Sequence, residues 1–175
     1  PNNWIWAGTY DGEVVYSSDN GNTWNKDSLT NDIIWSIATN SLNHVFAGSM
    51  NSRIYRTTDL GVTWQLVCST TLGIWDIVID DQNNIYVTSW TKRLISTDNG
   101  NSWITLGGGP EIHNMDLDKY HQFYSGSLGR RSLDNCTTWT YIGPSSDVHS
   151  FAFVDSLVFA GTSDGVFLYD PLYQP

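Results

Sequence analysis

One eight-residue unit recurs four times along this chain. It reads Ser17-Ser18-Asp19-Asn20-Gly21-Asn22-Thr23-Trp24, Thr57-Thr58-Asp59-Leu60-Gly61-Val62-Thr63-Trp64, Ser96-Thr97-Asp98-Asn99-Gly100-Asn101-Ser102-Trp103 and Ser132-Leu133-Asp134-Asn135-Cys136-Thr137-Thr138-Trp139. The pattern is [Ser/Thr]-x-Asp-x-Gly-x-[Thr/Ser]-Trp, with Cys136 in place of the glycine in the last copy. The copies return at a period of about 40 residues, which means one supersecondary unit repeated along the chain.

The unit resembles the Asp box, or BNR repeat, of sialidases, sortilin-type receptors, xyloglucan-cleaving glycosidases and photosystem II assembly factors. The resemblance covers nearly the whole chain and implies a β-propeller. It does not imply one function, because the same box sits in enzymes, receptors and scaffolds.

The box has a physical reading of its own. An Asp and a Ser/Thr hydroxyl bond to backbone groups of a tight turn, and Gly supplies positive φ there. The Trp then opens the next strand. Ser17, Asp19, Gly21 and Trp24 are therefore expected to be structural, as are Thr57, Asp59, Gly61 and Trp64. The same holds for Ser96, Asp98, Gly100 and Trp103, and for Ser132, Asp134 and Trp139. The sharper alternative is a metal or catalytic site repeated four times. Cys136 at the glycine position predicts backbone strain unless the turn has relaxed.

Between boxes, short β-branched and aromatic runs bounded by Gly, Asn and Asp read as strands. Each repeat yields four, termed A to D from the centre outward. Repeat two gives 33–39, 44–49, 53–58 and 63–68. Repeat three gives 74–79, 85–89, 93–97 and 102–106, and repeat four 112–117, 122–127, 129–132 and 138–142. The first segment opens on a B strand at 4–9, followed by C at 13–17 and D at 23–26. The last has A, B and C at 148–154, 157–162 and 166–169. The chain is thus expected to be an all-β, single-domain propeller (1–175) of four-stranded antiparallel blades. About five blades are represented, incomplete at both ends. Imperfect closure, membership of a larger propeller and completion by an oligomer all satisfy that count. Exposed sheet edges favour a partner or a closure.

Composition narrows the partners. The 175 residues carry a formal charge of −10, with 8 Lys+Arg against 18 Asp+Glu. Such a chain repels nucleic acid and anionic membrane surfaces, and no apolar run reaches the length of a membrane span. The start at Pro1, without Met or a signal peptide, reads as processing or excision. Cys68 and Cys136 fall on opposite faces of a propeller and are expected to be free thiols. Low Lys with abundant Asn, Ser, Thr and Trp suits a secreted or cell-surface protein, with periplasm or organelle lumen as alternatives.

In a propeller the D–A and B–C connections meet on the top face, and the Asp boxes lie at the bottom rim. The resemblance places ligand sites at the top, around the central channel. One column there is Trp35, Trp75, His113 and His149, and the next is Ser36, Asp76, Asn114 and Ser150. The B–C column reads Tyr10, Met50, Trp90, Leu128 and Ser163. Aromatic faces suit sugar rings, and short polar groups suit hydroxyls. The candidate ligand set is Trp35, Trp75, Trp90, His113, His149, Asp76, Asn114 and Tyr10. The opposing reading makes the rings wedges between blades.

Enzymatic signals are weak. Sialidase-type chemistry needs an arginine cluster, but Arg53, Arg56, Arg93, Arg130 and Arg131 all lie in or beside C strands. The Arg-Ile-Pro signature is absent. Xyloglucanase-type chemistry needs two facing carboxylates. Asp76 with Asp147 is conceivable, with Asp32 and Glu111 in neighbouring connections. Asp80-Asp81-Gln82-Asn83-Asn84 reads as a solvated turn rather than a calcium loop. Gly107-Gly108-Gly109-Pro110 lacks the sequence of a phosphate loop. The expectation is a non-catalytic, ligand-binding propeller without cofactor or metal, carbohydrate-binding through its aromatic top. The alternatives are a protein-interaction scaffold and a fragment of a glycoside hydrolase or sialidase.

Overall fold

Strand-forming runs too short to bury themselves must pair with neighbours, and here each pairs with its sequence neighbours within one sheet. The computed structural model describes residues 4–71, 73–90, 92–106, 112–143 and 146–170. Among them regular structure is eighteen strands without a helix. The first sheet holds β1 (Ile5–Gly8), β2 (Glu13–Ser17) and β3 (Asn25–Ser28). The second holds β4 (Ile34–Thr39), β5 (Val45–Ser49), β6 (Arg53–Thr57) and β7 (Gln65–Ser69). The third holds β8 (Ile74–Ile79), β9 (Ile85–Ser89), β10 (Arg93–Ser96) and β11 (Ile104–Leu106). The fourth holds β12 (Met115–Leu117), β13 (Phe123–Ser125), β14 (Arg130–Ser132) and β15 (Thr140–Tyr141). The fifth holds β16 (Val148–Val154), β17 (Leu157–Thr162) and β18 (Gly165–Tyr169). Every sheet is an antiparallel meander, so the chain is a β-propeller of three four-stranded blades flanked by two three-stranded ones.

The box tryptophans do not open the D strands. Those strands begin one residue later, at Asn25, Gln65, Ile104 and Thr140. Three indoles turn back to donate to the box itself. Trp24 reaches the Gly21 carbonyl (3.1 Å), Trp103 that of Gly100 (3.2 Å) and Trp139 that of Cys136 (3.2 Å). Trp64 donates instead to Asp27 of the first blade (3.3 Å). The run 107–111, including the triple glycine, lies outside the described residues.

Within each box one carboxylate organises the turn. Ser17 Oγ donates to Asp19 Oδ1 and accepts from Gly21 N (both 2.8 Å), while Thr23 N and Oγ1 donate to the two Asp19 oxygens (2.8 and 2.7 Å). The same set recurs around Asp59, Asp98 and Asp134. Bonds from Thr23, Ser102 and Thr138 hold the carboxyls of Asp19, Asp98 and Asp134 down to about 2. Gly21, Gly61 and Gly100 take φ of 87°, 90° and 82°, and Cys136 stays left-handed at 65°. The turn has not relaxed around the cysteine, so the expected strain is present. Cys136 and Cys68 are both free thiols, and burial pushes the Cys136 thiol up to about 12.

A second turn repeats between strands A and B. Asn40 Oδ1 accepts from the amides of Leu42 and His44, Asp80 Oδ1 from Gln82 and Asn84, and Asp118 Oδ1 from Tyr120 and Gln122. Asn43, Asn83 and His121 follow at positive φ. These turns also link blades. Ser41 donates to Asn83 (2.8 Å), and His121 meets Asp81 (3.1 Å).

The apolar core lies between blades, not within them. One cluster joins Val14, Ile34, Ala47 and Tyr55, a second Phe46, Ile54, Ile74, Ile77 and Ile85, and a third Tyr86, Ile112, Met115, Phe123 and Cys136. Close approach depends on a glycine of strand B. A Cβ on Gly48 would stand 2.5 Å from Ile74 Cγ2, and one on Gly8 2.6 Å from Ile34 Cγ2.

Two outcomes follow from this packing. Gly48→Ala should destabilise the fold by about 1–3 kcal/mol through overpacking. Gly161→Ala, whose Cβ meets only Ser150 of its own blade, should change stability little; paired thermal melts read both. The box carboxyls are lowered from ordinary values to about 2 in the fold. Their contribution is therefore complete above the unfolded carboxylate range and lost as pH falls toward 2. Acid titration should unfold the wild type in that window, and Asp98→Asn should flatten its share of the transition.

Candidate functional site

The upper end of strand A is where the ladder breaks. Ile34 pairs with Ser49 and Ser36 with Gly48, leaving Trp35 as an extra residue. The same skip falls at Trp75 between Ile74 and Asp76, and at His149 between Val148 and Ser150. A bulge turns its side chain away from the normal alternation. Three blades thus bulge at the aromatic column, and His113 holds the equivalent place just before β12.

These rings meet. Trp35 and Trp75 stand edge to face (5.1 Å, 84°), as do Trp75 and Trp90 (5.3 Å, 66°). Trp75 is tilted against His113 at 5.1 Å, and Trp90 approaches His113 at 6.1 Å. Beside them lies a cleft of about 390 Å³ lined by Trp35, Trp75, His113, Asn114, Gly126, Ser127, Asp147, Val148 and His149. It spans four blades. Trp35 is 46% exposed and Trp90 44% exposed, so neither is a buried wedge. Trp75 is half-buried, and its indole Nε1 has no hydrogen-bond partner among the described residues.

The polar column serves the blades. Asp76 Oδ1 accepts from Ser36 Oγ (3.0 Å) and Ile77 N (2.9 Å), while Oδ2 accepts from Met115 N (2.9 Å). One carboxylate therefore bridges three blades. Burial pushes its carboxyl above the usual range, opposed by the bonds from Met115, Ser36 and Ile77. Asn114 Nδ2 donates to the Val148 carbonyl of the fifth blade (3.1 Å). Tyr10 is exposed, and among the described residues no ring contact joins it to the cluster. Ser127 and Asp147, which belong to neither top-face column, also line the cleft. Ser127 sits one residue before Leu128 of the B–C column.

No group of three or more His, Cys, Asp or Glu among the described residues is placed to hold a metal ion. The arginines Arg53, Arg56, Arg93, Arg130 and Arg131 all lie within β6, β10 and β14, away from the cleft.

Comparison with solved structures finds chains of like fold. The chain is similar to YCF48 bound to a D1 peptide, with a TM-score of 0.79 and 15% identity over 98% of this chain and 63% of that one. It is similar to YCF48 from Cyanidioschyzon merolae, at 0.76 and 13% over 98% and 64%. It is also similar to the computationally designed Ika8 protein, at 0.73 and 19% over 97% and 56%. Likeness at these identities shows the fold. The chain spans less than two thirds of the length of each of these structures. No family model matches the chain, and no curated protein matches it.

Asp76→Ala should lower stability by about 2 kcal/mol, because the buried Met115 amide loses its acceptor. Denaturant titration reads this. Unchanged stability would mean that the staple is not used.

Proposed function

We propose that this chain is a non-catalytic protein-interaction propeller whose top cleft holds an extended peptide. The observation that carries the reading is the repeated bulge, which brings Trp35, Trp75 and His149 from three blades to one cleft. Rings standing edge to face form walls rather than a flat platform, and walls suit an apolar or aromatic side chain. Asp147 at the rim and the charge of −10 favour a peptide with a basic residue beside that anchor. The YCF48 structure of like fold, bound to a D1 peptide, is in keeping with this class of ligand. A hydrolytic pair is disfavoured, because both oxygens of Asp76 are held by neighbouring blades.

Carbohydrate is the second reading. The exposed rings of Trp35 and Trp90 favour it, since such faces stack on sugars. It loses ground because both oxygens of Asp76 and the amide nitrogen of Asn114 are spent on the fold.

Screening the chain against a peptide array and a glycan array separates the two. Hits with basic-aromatic peptides are expected. Trp35→Ala, at an exposed ring that lines the cleft, should weaken them about tenfold, the worth of one ring contact, with little change in melting. Binding confined to glycans would move the reading to a lectin. Binding indifferent to both Trp35→Ala and Trp90→Ala would remove the cleft from either.

A further inference from the structure

The A–B turn of the second blade is tied to the Asp box of the third by a chain of side-chain amides whose polarity the backbone sets. Asn40 Oδ1 accepts from the backbone amides of Leu42 (3.0 Å) and His44 (2.9 Å). Backbone amides only donate, so this end of Asn40 is the oxygen and the other end is the nitrogen. Asn40 Nδ2 then donates to Asn99 Oδ1 at 2.8 Å. That fixes Asn99 in turn, and its Nδ2 faces Nδ1 of the half-buried His44 at 2.7 Å. A side-chain amide nitrogen donates and does not accept. His44 Nδ1 is therefore bare, and the hydrogen of the neutral ring sits on Nε2.

No member of this chain can turn round alone. Reversing Asn99 would set its nitrogen against Asn40 Nδ2. Reversing Asn40 would set its nitrogen against two backbone amides. A charged imidazole carries a hydrogen on both nitrogens. A proton on His44 thus sets a donor against a donor at the centre of the contact, and no rearrangement inside the chain relieves it.

The charged groups around His44 do not offset this. Arg56 of β6 donates to the Asn99 carbonyl and to Asn101 Oδ1 (3.0 Å). It lies opposite Phe46 in the ladder, and His44 precedes Phe46 by two residues, so the two share a sheet side. A second positive charge there adds repulsion. The carboxylates on the packed elements are Asp59 in the box of the same blade, Asp98 in the box that carries Asn99, and Asp80 and Asp81 in the next A–B turn. Asp59 is held by Thr57 and Thr63, and Asp98 by Ser96 and Ser102. Asp80 accepts from Gln82, Asn84 and Tyr86, and Asp81 meets His121. Among the described residues none of these carboxylates is bonded to His44.

We propose that His44 is a pH-sensitive latch between the second and third blades, closed with a neutral ring and released by a proton. Histidine changes charge between about pH 5 and 8. The stability that the neutral form holds is present above that range and lost as pH falls through it. The other end of the same boundary carries the bond from Ser36 to Asp76 and the contact of Trp35 with Trp75. Acid therefore loosens one end of the boundary on which the cleft stands. In the fourth blade the matching place belongs to Gln122, whose amide donates to Asp118 as that of His44 does to Asn40. That residue does not titrate, so the latch is confined to one boundary.

Thermal melts of the full chain at about pH 8 and about pH 5 span the histidine range. His44→Gln keeps an acceptor for Asn99 at both. Between them the wild type should lose roughly 2–4 °C more than His44→Gln, the shift of one lost hydrogen bond in a domain of this size. His113, His121 and His149 are present in both proteins and cancel in the difference. Asn99→Asp keeps an oxygen for Asn40 and offers another to a charged His44. The sign should then reverse, so Asn99→Asp should lose less on acidification than Asn99→Asp combined with His44→Gln. Imidazole nitrogen shifts by NMR should show Nδ1 of His44 without a hydrogen near neutral pH. A wild type that tracks His44→Gln across the range overturns the proposal. So does a hydrogen found on Nδ1, or a difference whose sign Asn99→Asp fails to reverse.

Discussion

Everything above the level of a single blade depends on one rigid turn. The Asp-box carboxylate accepts from the amide and the hydroxyl of a residue four positions on and from the Ser/Thr hydroxyl two positions back. A surface loop becomes a block with a flat glycine side. The preceding blade's aromatic then lies against that side, at Gly61 and Gly100, without a Cβ to hold it off. The energy resides less in the exposed carboxylates themselves than in the apolar area that a fixed turn lets the next blade bury. The core clusters accordingly run across blade boundaries, as in other repeat architectures where each unit is stable only against its neighbour.

This explains why the fold was legible in the chain and where legibility stopped. Four boxes in phase set the repeat, and runs such as 44–49 and 85–89 marked strands because β-branched and aromatic residues there are bounded by Asn. Boundaries slipped where hydrogen bonds compete with the ladder. Three of the four box tryptophans donate to box carbonyls, and all four D strands begin two residues beyond their expected starts. The A–B turn went unseen as a repeat because Asn40, Asp80 and Asp118 sit in dissimilar sequences. They share only an acceptor at the first position and a left-handed residue three later.

The cleft was half legible. Aligned positions singled out Trp35, Trp75, His113 and His149, and these do line one cavity with Asn114. What alignment lacked was register. The bulges at Trp35, Trp75 and His149 are properties of pairing between strands, and nothing in a linear string states that a residue has been skipped. The same lack made Asp76 look like a ligand group. Its neighbours in space, Ser36 and Met115, belong to other blades roughly one repeat away, and they consume its oxygens.

Bulge and staple are adjacent for a physical reason. Skipping Trp35 and Trp75 puts Ser36 and Asp76 back into the pairing pattern, where Asp76 accepts from Ile77 in its own strand and, across the blade boundaries, from Ser36 and Met115. Burying that carboxylate costs desolvation, seen in its upward-shifted acidity, and the cost is offset only while all three donors stay in place. The rings of the cleft therefore stand on a floor that cannot move without breaking contact between three blades. Under the proposed peptide reading, such a floor limits adaptation by the backbone and leaves recognition to the exposed edge of Trp35. A peptide site of the proposed kind would select for the shape of an inserted side chain more than for hydrogen-bond pattern, which is why the aromatic walls, rather than the polar column, carry the proposal.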